Sequence, residues 1–302
     1  MQQLSPRHGA QTGTQLLTTA VAKFDSAIVT ATAAGVSGRQ ALNLARIGEG
    51  RALLDLNQPA AAATAVAGVP VGYLYVIEHS ENSARQNNAI FAFNQVEGRF
   101  TVSDREGGNG VPFVTLNDPR NPLFDYGPGF DGSTQQFLPT KYLERASPTP
   151  LAIGAEARLI EAEAALRAGN LATFVAKINQ ARAEAPTYPE AQDPNSDLAP
   201  SPAPVTLADV GATATAQQNF LFQERALALF LTNHRIGDLR RLVYQYGRNA
   251  ESVFATGPYQ ANNPDKSGTN YGTDVNLPIP SEESNNPSFR PAACINRSAG
   301  IT

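Results

Sequence analysis

Leu16, Leu17, Ala20, Val21, Phe24, Ala27 and Ile28 recur at three- and four-residue spacing through residues 14–34. At about 3.6 residues per turn, that spacing gathers them on one face of a helix. Gly35 ends the run, and Ser37 is placed to cap a second helix over residues 38–56. The apolar positions of that helix are Ala41, Leu42, Ala45, Ala52, Leu53 and Leu56, with Gly48 where helices need to approach closely. Asn57 and Pro59 break it, and the alanine-rich residues 60–67 begin a third helix. The design returns at residues 153–167, where Ile153, Ala157, Ile160, Ala164 and Leu166 fall on or near one face. Gly169 fits just past that helix, and Asn170 fits as the cap of the next, over 171–183. Two further helices are expected over 214–232 and 236–246. Helix pairs around short breaks, with small residues at the crossing, describe a mainly α fold with a tetratricopeptide-like helical-hairpin scaffold.

The intervals between these blocks are of another kind. Residues 68–150 mix β-like runs at 73–77, 90–93 and 113–116 with clusters of Gly, Pro, Asn and Asp, the signature of minor short strands in a loop-rich insertion. Residues 186–204 hold six prolines and read as a surface loop. Residues 256–288 are again rich in Gly, Asn and Pro. No linker separates two self-sufficient cores. The expectation is one domain over 1–302, with a helical scaffold at 14–67 and 151–246, the insertion at 68–150, and an irregular C-terminal segment at 247–302.

Several function classes find no support. A net charge of -4 and scattered Lys and Arg give no broad attraction for nucleic acid or an anionic membrane surface. The single cysteine, Cys294, excludes an internal disulfide framework and a multi-cysteine metal site. His8, His79 and His234 have no ligand spacing, so no zinc site is expected. There is no Gly-x-Ser-x-Gly elbow, and Gly107-Gly108-Asn109-Gly110 does not open a helix after a strand as a phosphate loop does. Turn chemistry accounts for the Asp and Gly of 104–110 and 125–132 without calcium. Glu161 and Glu163, two apart on a helix, read as solvated surface. No stretch approaches the roughly 20 apolar residues of a membrane span, and residues 1–13 lack the apolar core of an export signal. Neither a catalytic residue nor a cofactor is expected.

Three segments in fixed order carry a family resemblance. Residues 156–170, continuing into Ile178-Asn179-Gln180-Ala181-Arg182, form a helix pair. Phe222-Gln223-Glu224-Arg225 leads to Leu229-Phe230 and then to His234-Arg235-Ile236-Gly237-Asp238-Leu239-Arg240-Arg241. Asn276-Leu277-Pro278-Ile279-Pro280-Ser281-Glu282-Glu283 and Asn285-Asn286-Pro287 close the series. Together they resemble the C-terminal half of the SusD/RagB family. Ile236 departs from the aromatic residue usual at that place. The resemblance implies a non-catalytic protein on the cell-surface side of the outer membrane. Its implied role is to capture a glycan, oligosaccharide or peptide and pass it to a SusC-type TonB-dependent transporter. A reading from another class is a structural or interaction subunit that docks its helical scaffold on a larger envelope complex.

Two residue groups stand out for chemistry. Glu224, Arg225, Arg235, Asp238, Arg240 and Arg241 lie between packed apolar positions and read as a structural ion-pair network locking two helices. Ten of the 23 Phe and Tyr fall in residues 71–137, which directs attention to the insertion as the ligand-facing part. Tyr126 and Phe130 are read as loop aromatics suited to stacking on sugar rings, with Asp125 and Asp131 beside them as hydrogen-bonding groups. The competing reading is that these rings plug the gap between insertion and scaffold.

Overall fold

The computed structural model of the chain describes residues 11–258, 270–273, 275–276 and 280–286. His8, Cys294, Leu277, Pro278, Ile279 and Pro287 lie outside the described residues. The described part is mainly α, with ten helices and two small two-stranded sheets. Helix α1 (Gly13–Ala33) is opened by a reciprocal cap between Thr12 and Gln15. It packs on α2 (Arg39–Asp55) across a tight turn over Gly35–Gly38. Ser37 does not cap α2. It lies inside that turn, and its hydroxyl donates back to the Ala34 carbonyl at 3.0 Å. Gly48 has the expected role, since a side chain there would occupy the place of the Phe24 ring of α1. Asn57, at φ 59°, turns the chain into α3 (Pro59–Val66), whose Pro fits the first helical turn.

The second helical block begins at α6 (Gly154–Arg167), after six short elements numbered below. Helix α3 packs on α6, and α6 packs on α7 (Leu171–Glu184) and α8 (Ala214–Ala228). Gly169 takes the left-handed conformation past α6, at φ 74°. Asn170 caps α7 by accepting from the Thr173 amide at 3.0 Å. Helix α6 is the hub. Leu159, Ala162 and Ala165 belong to one apolar core with Phe174, Ile178 and Leu221, while Ala157 and Ile160 belong to a second with Ile47, Leu54 and Val66. A helix enclosed on both sides buries its polar residues too, and each then needs a partner. Glu161 and Glu163 are accordingly not solvated. Glu161 pairs with Lys177 at 2.7 Å, and Glu163 pairs with Arg241 of α9 (Arg235–Tyr244) at 2.5 Å. Glu156, fully buried, accepts from Arg51 at 2.5 Å and meets His234 at 3.1 Å. Burial alone raises a carboxyl pKa, yet Arg51 and His234 together hold Glu156 far below the usual range.

The ion pairs form two groups on either side of α8. Arg225 pairs with Asp238 at 2.9 Å, and Arg241 bridges Asp238 and Glu163. Glu224 faces the other way, to Arg120 at 2.8 Å and Arg182 at 2.5 Å, with Asp118 completing the Arg120 side. Arg235 and Arg240 stand outside both groups, contrary to the sequence expectation. Arg240 lies further along α9 and donates to the Val275 carbonyl at 3.1 Å and to Asn276. Arg235, at the start of α9, lines a cavity.

The insertion holds β1 (Leu74–Ile77), α4 (Ala89–Phe91), α5 (Phe113–Leu116), β2 (Leu123–Pro128) and β3 (Gln135–Pro139), and β4 (Thr149–Ile153) leads out of it. β1 pairs antiparallel with β4, and β2 with β3. Two of the three β-like runs are helical instead. Asn88 accepts from the Ile90 and Phe91 amides at 2.9 and 3.1 Å, which starts α4, and a π-helical turn continues it over Ala92–Val96. Asp104 accepts from the Thr115 amide at 2.6 Å, and Asn117, at φ 45°, closes α5. Helix α8 ends at Ala228 rather than continuing to 232. Three insertion side chains donate to backbone carbonyls there: Asn121 to Leu227 at 2.9 Å, Lys141 to Phe230 at 2.7 Å, and Tyr142 to Leu231 at 3.1 Å. Leu231 and Asn233 then adopt φ 55° and 65°. These bonds fasten the insertion to the scaffold.

Two predictions follow from this packing. Arg241→Met leaves Glu163 without a cation and Asp238 with Arg225 alone, and lowers stability by about 3–5 kcal/mol. Urea unfolding measures it, and adding Glu163→Met, which removes the stranded carboxylate, recovers a large part of the loss. Lys141 is buried with no ion pair among the described residues, and burial pushes its ammonium down to about 7. The unfolded chain, at about 10.4, binds that proton first, so wild-type stability drops as pH falls from about 10 to about 7. Lys141→Met therefore gains on the wild type by about 1–3 kcal/mol over that interval. A pH-independent difference between the two unfolding curves defeats this account.

Candidate functional site

The β2–β3 hairpin carries all four residues singled out as ligand-facing. Tyr126 is a strand residue rather than a loop residue, lies 46% exposed, and meets Phe124 edge-on at 6.0 Å. Phe130 lies in the connection, 68% exposed, with the Arg99 guanidinium 4.1 Å from its ring centre. That leaves the opposite part of an exposed aromatic surface facing outward, where a ring plug has nothing to fill.

The two aspartates shape the hairpin. Asp125 accepts from the Gly127 amide at 3.0 Å and from the Gln135 side chain. Asp131 accepts from the Ser133 and Thr134 amides at 3.0 and 2.8 Å and from the Thr134 hydroxyl at 2.6 Å, a side-chain turn that tightens the loop. Gln135 and Thr134 both line a cleft of about 550 Å³ next to the hairpin. Asp125 and Asp131 thus position two cleft residues rather than presenting bare carboxylates.

The cleft is polar. Arg99, Thr101, Asp104, Thr134, Gln135 and Tyr271 are among its lining residues. Arg99 joins it to Phe130, so an exposed ring and a hydrogen-bonding cleft form one continuous surface. Asp104 is held by Thr115, whose hydroxyl donates at 2.5 Å, and although burial works the other way, these bonds keep its carboxyl below the usual range. The glycine loop that follows is a clamp. Gly107, at φ 63°, lies so close to the Thr256 carbonyl that a side chain has no room. The Gly108 amide donates to that carbonyl at 2.8 Å, and Asn109 donates to the Phe254 carbonyl at 2.8 Å.

A second cavity, about 500 Å³, lies on the other side of residues 100–106. Phe93 and Phe100, with ring centres 5.3 Å apart, and Phe113 and Phe230, 4.7 Å apart, form much of its wall, and Arg235 is its one basic lining residue. Sequence reasoning assigned Phe93 and Phe113 to strands and Arg235 to the ion-pair network. A signal available in the sequence was the crowding of aromatics in 71–137, but not which side of the chain each would face. The corner where Lys141, Glu156, Tyr188 and His234 meet has room for about one water molecule and holds the fold together rather than a ligand. Among the described residues, no group of three or more His, Cys, Asp or Glu is arranged to hold a metal ion.

The insertion, which gives each cavity much of its wall, precedes the part of the chain that comparison with known proteins identifies, while Phe230, Arg235, Leu239 and Tyr271 lie within that part. No curated protein and no solved structure gives a significant match to the chain. Residues 153–289 match the model of the SusD family. That segment opens at the hub helix α6 and carries Glu156, Glu163, Glu224, Arg225, Asp238 and Arg241, so the Arg225–Asp238–Arg241–Glu163 pairs lie within it, and over this segment the chain is similar to the SusD family.

Proposed function

We propose that the protein captures a glycan, oligosaccharide or peptide at the cell surface for a TonB-dependent outer-membrane transporter of the SusC type. The SusD family brings a surface glycan-binding role in nutrient uptake, outer-membrane association and, in general, no catalysis. The observation that supports the reading in this chain is the continuous surface from Phe130 and Arg99 into the polar cleft at Thr134 and Gln135. An exposed ring offers its face to the C–H groups of a sugar or to an apolar side chain, and the cleft supplies hydrogen bonds. Tyr126, Phe130, Asp125 and Asp131 are the residues assigned to it, the aromatics as contacts and the aspartates as supports. Among the described residues, no helix is long and apolar enough to cross a membrane.

A partner surface is favoured by a separate observation. Along α1 only Ala31 is buried, while Leu16 and Val29 stand 54% and 71% exposed and Val36, just beyond, 74%. Leu16 and Val29 lie on different sides of the helix, so the docking reading rests on the exposure of α1 as a whole to an envelope protein, whether a transporter or another component.

A binding screen of oligosaccharides and short peptides tests the main reading. Phe130→Ala weakens saturable binding by about fivefold, with an unchanged circular dichroism spectrum. Hydrolysis of any screened compound by the purified protein overturns the non-catalytic part. Binding to a protein partner alone, lost when Leu16 and Val29 are changed to Lys, leaves the docking role and removes the ligand role.

A further inference from the structure

The 500 Å³ cavity between the insertion and α9 differs in chemistry from the cleft. Its wall is largely apolar, built from Phe93, Phe100, Val111, Phe113, Phe230 and Leu239. Arg235 is the only cation in that wall, and it is half-buried. The neighbouring arginines of the same signature are committed: Arg225 to Asp238 at 2.9 Å, and Arg241 to Asp238 and Glu163. Both oxygens of Asp238 are thereby occupied. Arg235 makes no ion pair within 4.0 Å among the described residues. Glu106, exposed on the rim, is the only acidic residue lining the cavity and influences Arg235 from a distance. A guanidinium is costly to hold at an apolar wall without a counter-ion, and its planar fork matches a carboxylate.

We propose that this cavity binds a small amphiphilic acid, an aromatic or aliphatic body among the phenylalanines with one carboxylate paired to Arg235. The volume suits a compact organic molecule rather than a polymer. The apolar lining favours a single charged group at one end over a ligand that carries polar groups throughout, such as a sugar. Burial pushes the Arg235 guanidinium down from its ordinary value, and Asp238 and Glu106 oppose that, so the cation persists at neutral pH and is available to an anion. This site is separate from the cleft beside Phe130, and its failure leaves the capture reading untouched.

Calorimetric titration of the full chain with 3-phenylpropionate, its uncharged amide and inorganic phosphate tests the proposal. The acid binds saturably, and the amide and phosphate bind at least about tenfold more weakly. Arg235→Gln brings the acid down to the level of the amide and leaves the amide unchanged. Glu106→Gln removes a like charge from the rim and tightens the acid about two- to fivefold, which keeps the test decisive should Arg235→Gln unfold. Equal affinity for acid and amide, no binding of the acid, or an Arg235→Gln variant that folds and binds the acid as the wild type does overturns the proposal. Phosphate binding as tightly as the acid identifies a simple anion site and overturns the amphiphile.

Discussion

A helix closed in on all sides has to solve the problem of its own polar residues, and α6 shows the solution. Glu156, Arg158 and Glu163 are buried on it, and each reaches a different element. Glu156 draws in Arg51 of α2 and His234 ahead of α9. Glu163 draws in Arg241 of α9 and the Tyr246 hydroxyl, which donates at 2.7 Å. Arg158 donates to the Val69 carbonyl at 3.1 Å, just past α3. Apolar packing is tolerant of small shifts, whereas a buried carboxylate tolerates only positions that keep its partners. The charges on α6 therefore fix the first helix block against the second, in addition to what the two apolar cores contribute.

The same economy governs the insertion. It has little apolar core of its own, and its two-stranded sheets would be marginal alone. It is held from outside, by Arg120 to Glu224 and by three bonds onto the carbonyls at the end of α8. Those bonds also stop α8, and the left-handed turn at Leu231 and Asn233 then sets where α9 begins. Arg235 reaches the cavity because the chain turns there. The position of a binding residue is thus a consequence of how the insertion is fastened.

The helices were legible because an amphipathic period is a local signal. Gly48, Gly169 and Asn170 were legible for the same reason, each being read from its neighbours in sequence. What escaped depends on partners far along the chain. Glu163 looks like surface until Arg241, 78 residues on, closes over it. The runs at 90–93 and 113–116 are apolar enough for strands, but Asn88 and Asp104 satisfy their amides in helical turns instead. Arg120 and Asp118 gave no signal at all, since an Asp-Pro-Arg turn looks the same whether its arginine faces water or Glu224. At the hairpin, the residues named from sequence are close together as expected, yet their division of labour was hidden. Only geometry separates the exposed rings from the aspartates that brace Thr134 and Gln135.

Residues 100–103 explain why two unlike cavities lie so close. The segment runs beside β3 almost as a third strand. The Val102 amide donates to the Phe137 carbonyl at 2.9 Å, and the Phe137 amide donates to the Thr101 hydroxyl at 2.8 Å. The segment lies between the two cavities, so one stretch of chain gives a wall to each. Phe100, Thr101, Val102 and Ser103 line both. The polar cleft takes its character from the hairpin opposite, through Thr134 and Gln135, and the apolar cavity takes its own from Phe113, Phe230 and Leu239. Neither is a property of the shared segment. A change of side-chain size at Val102 alters both volumes together, while a change on either far wall alters one.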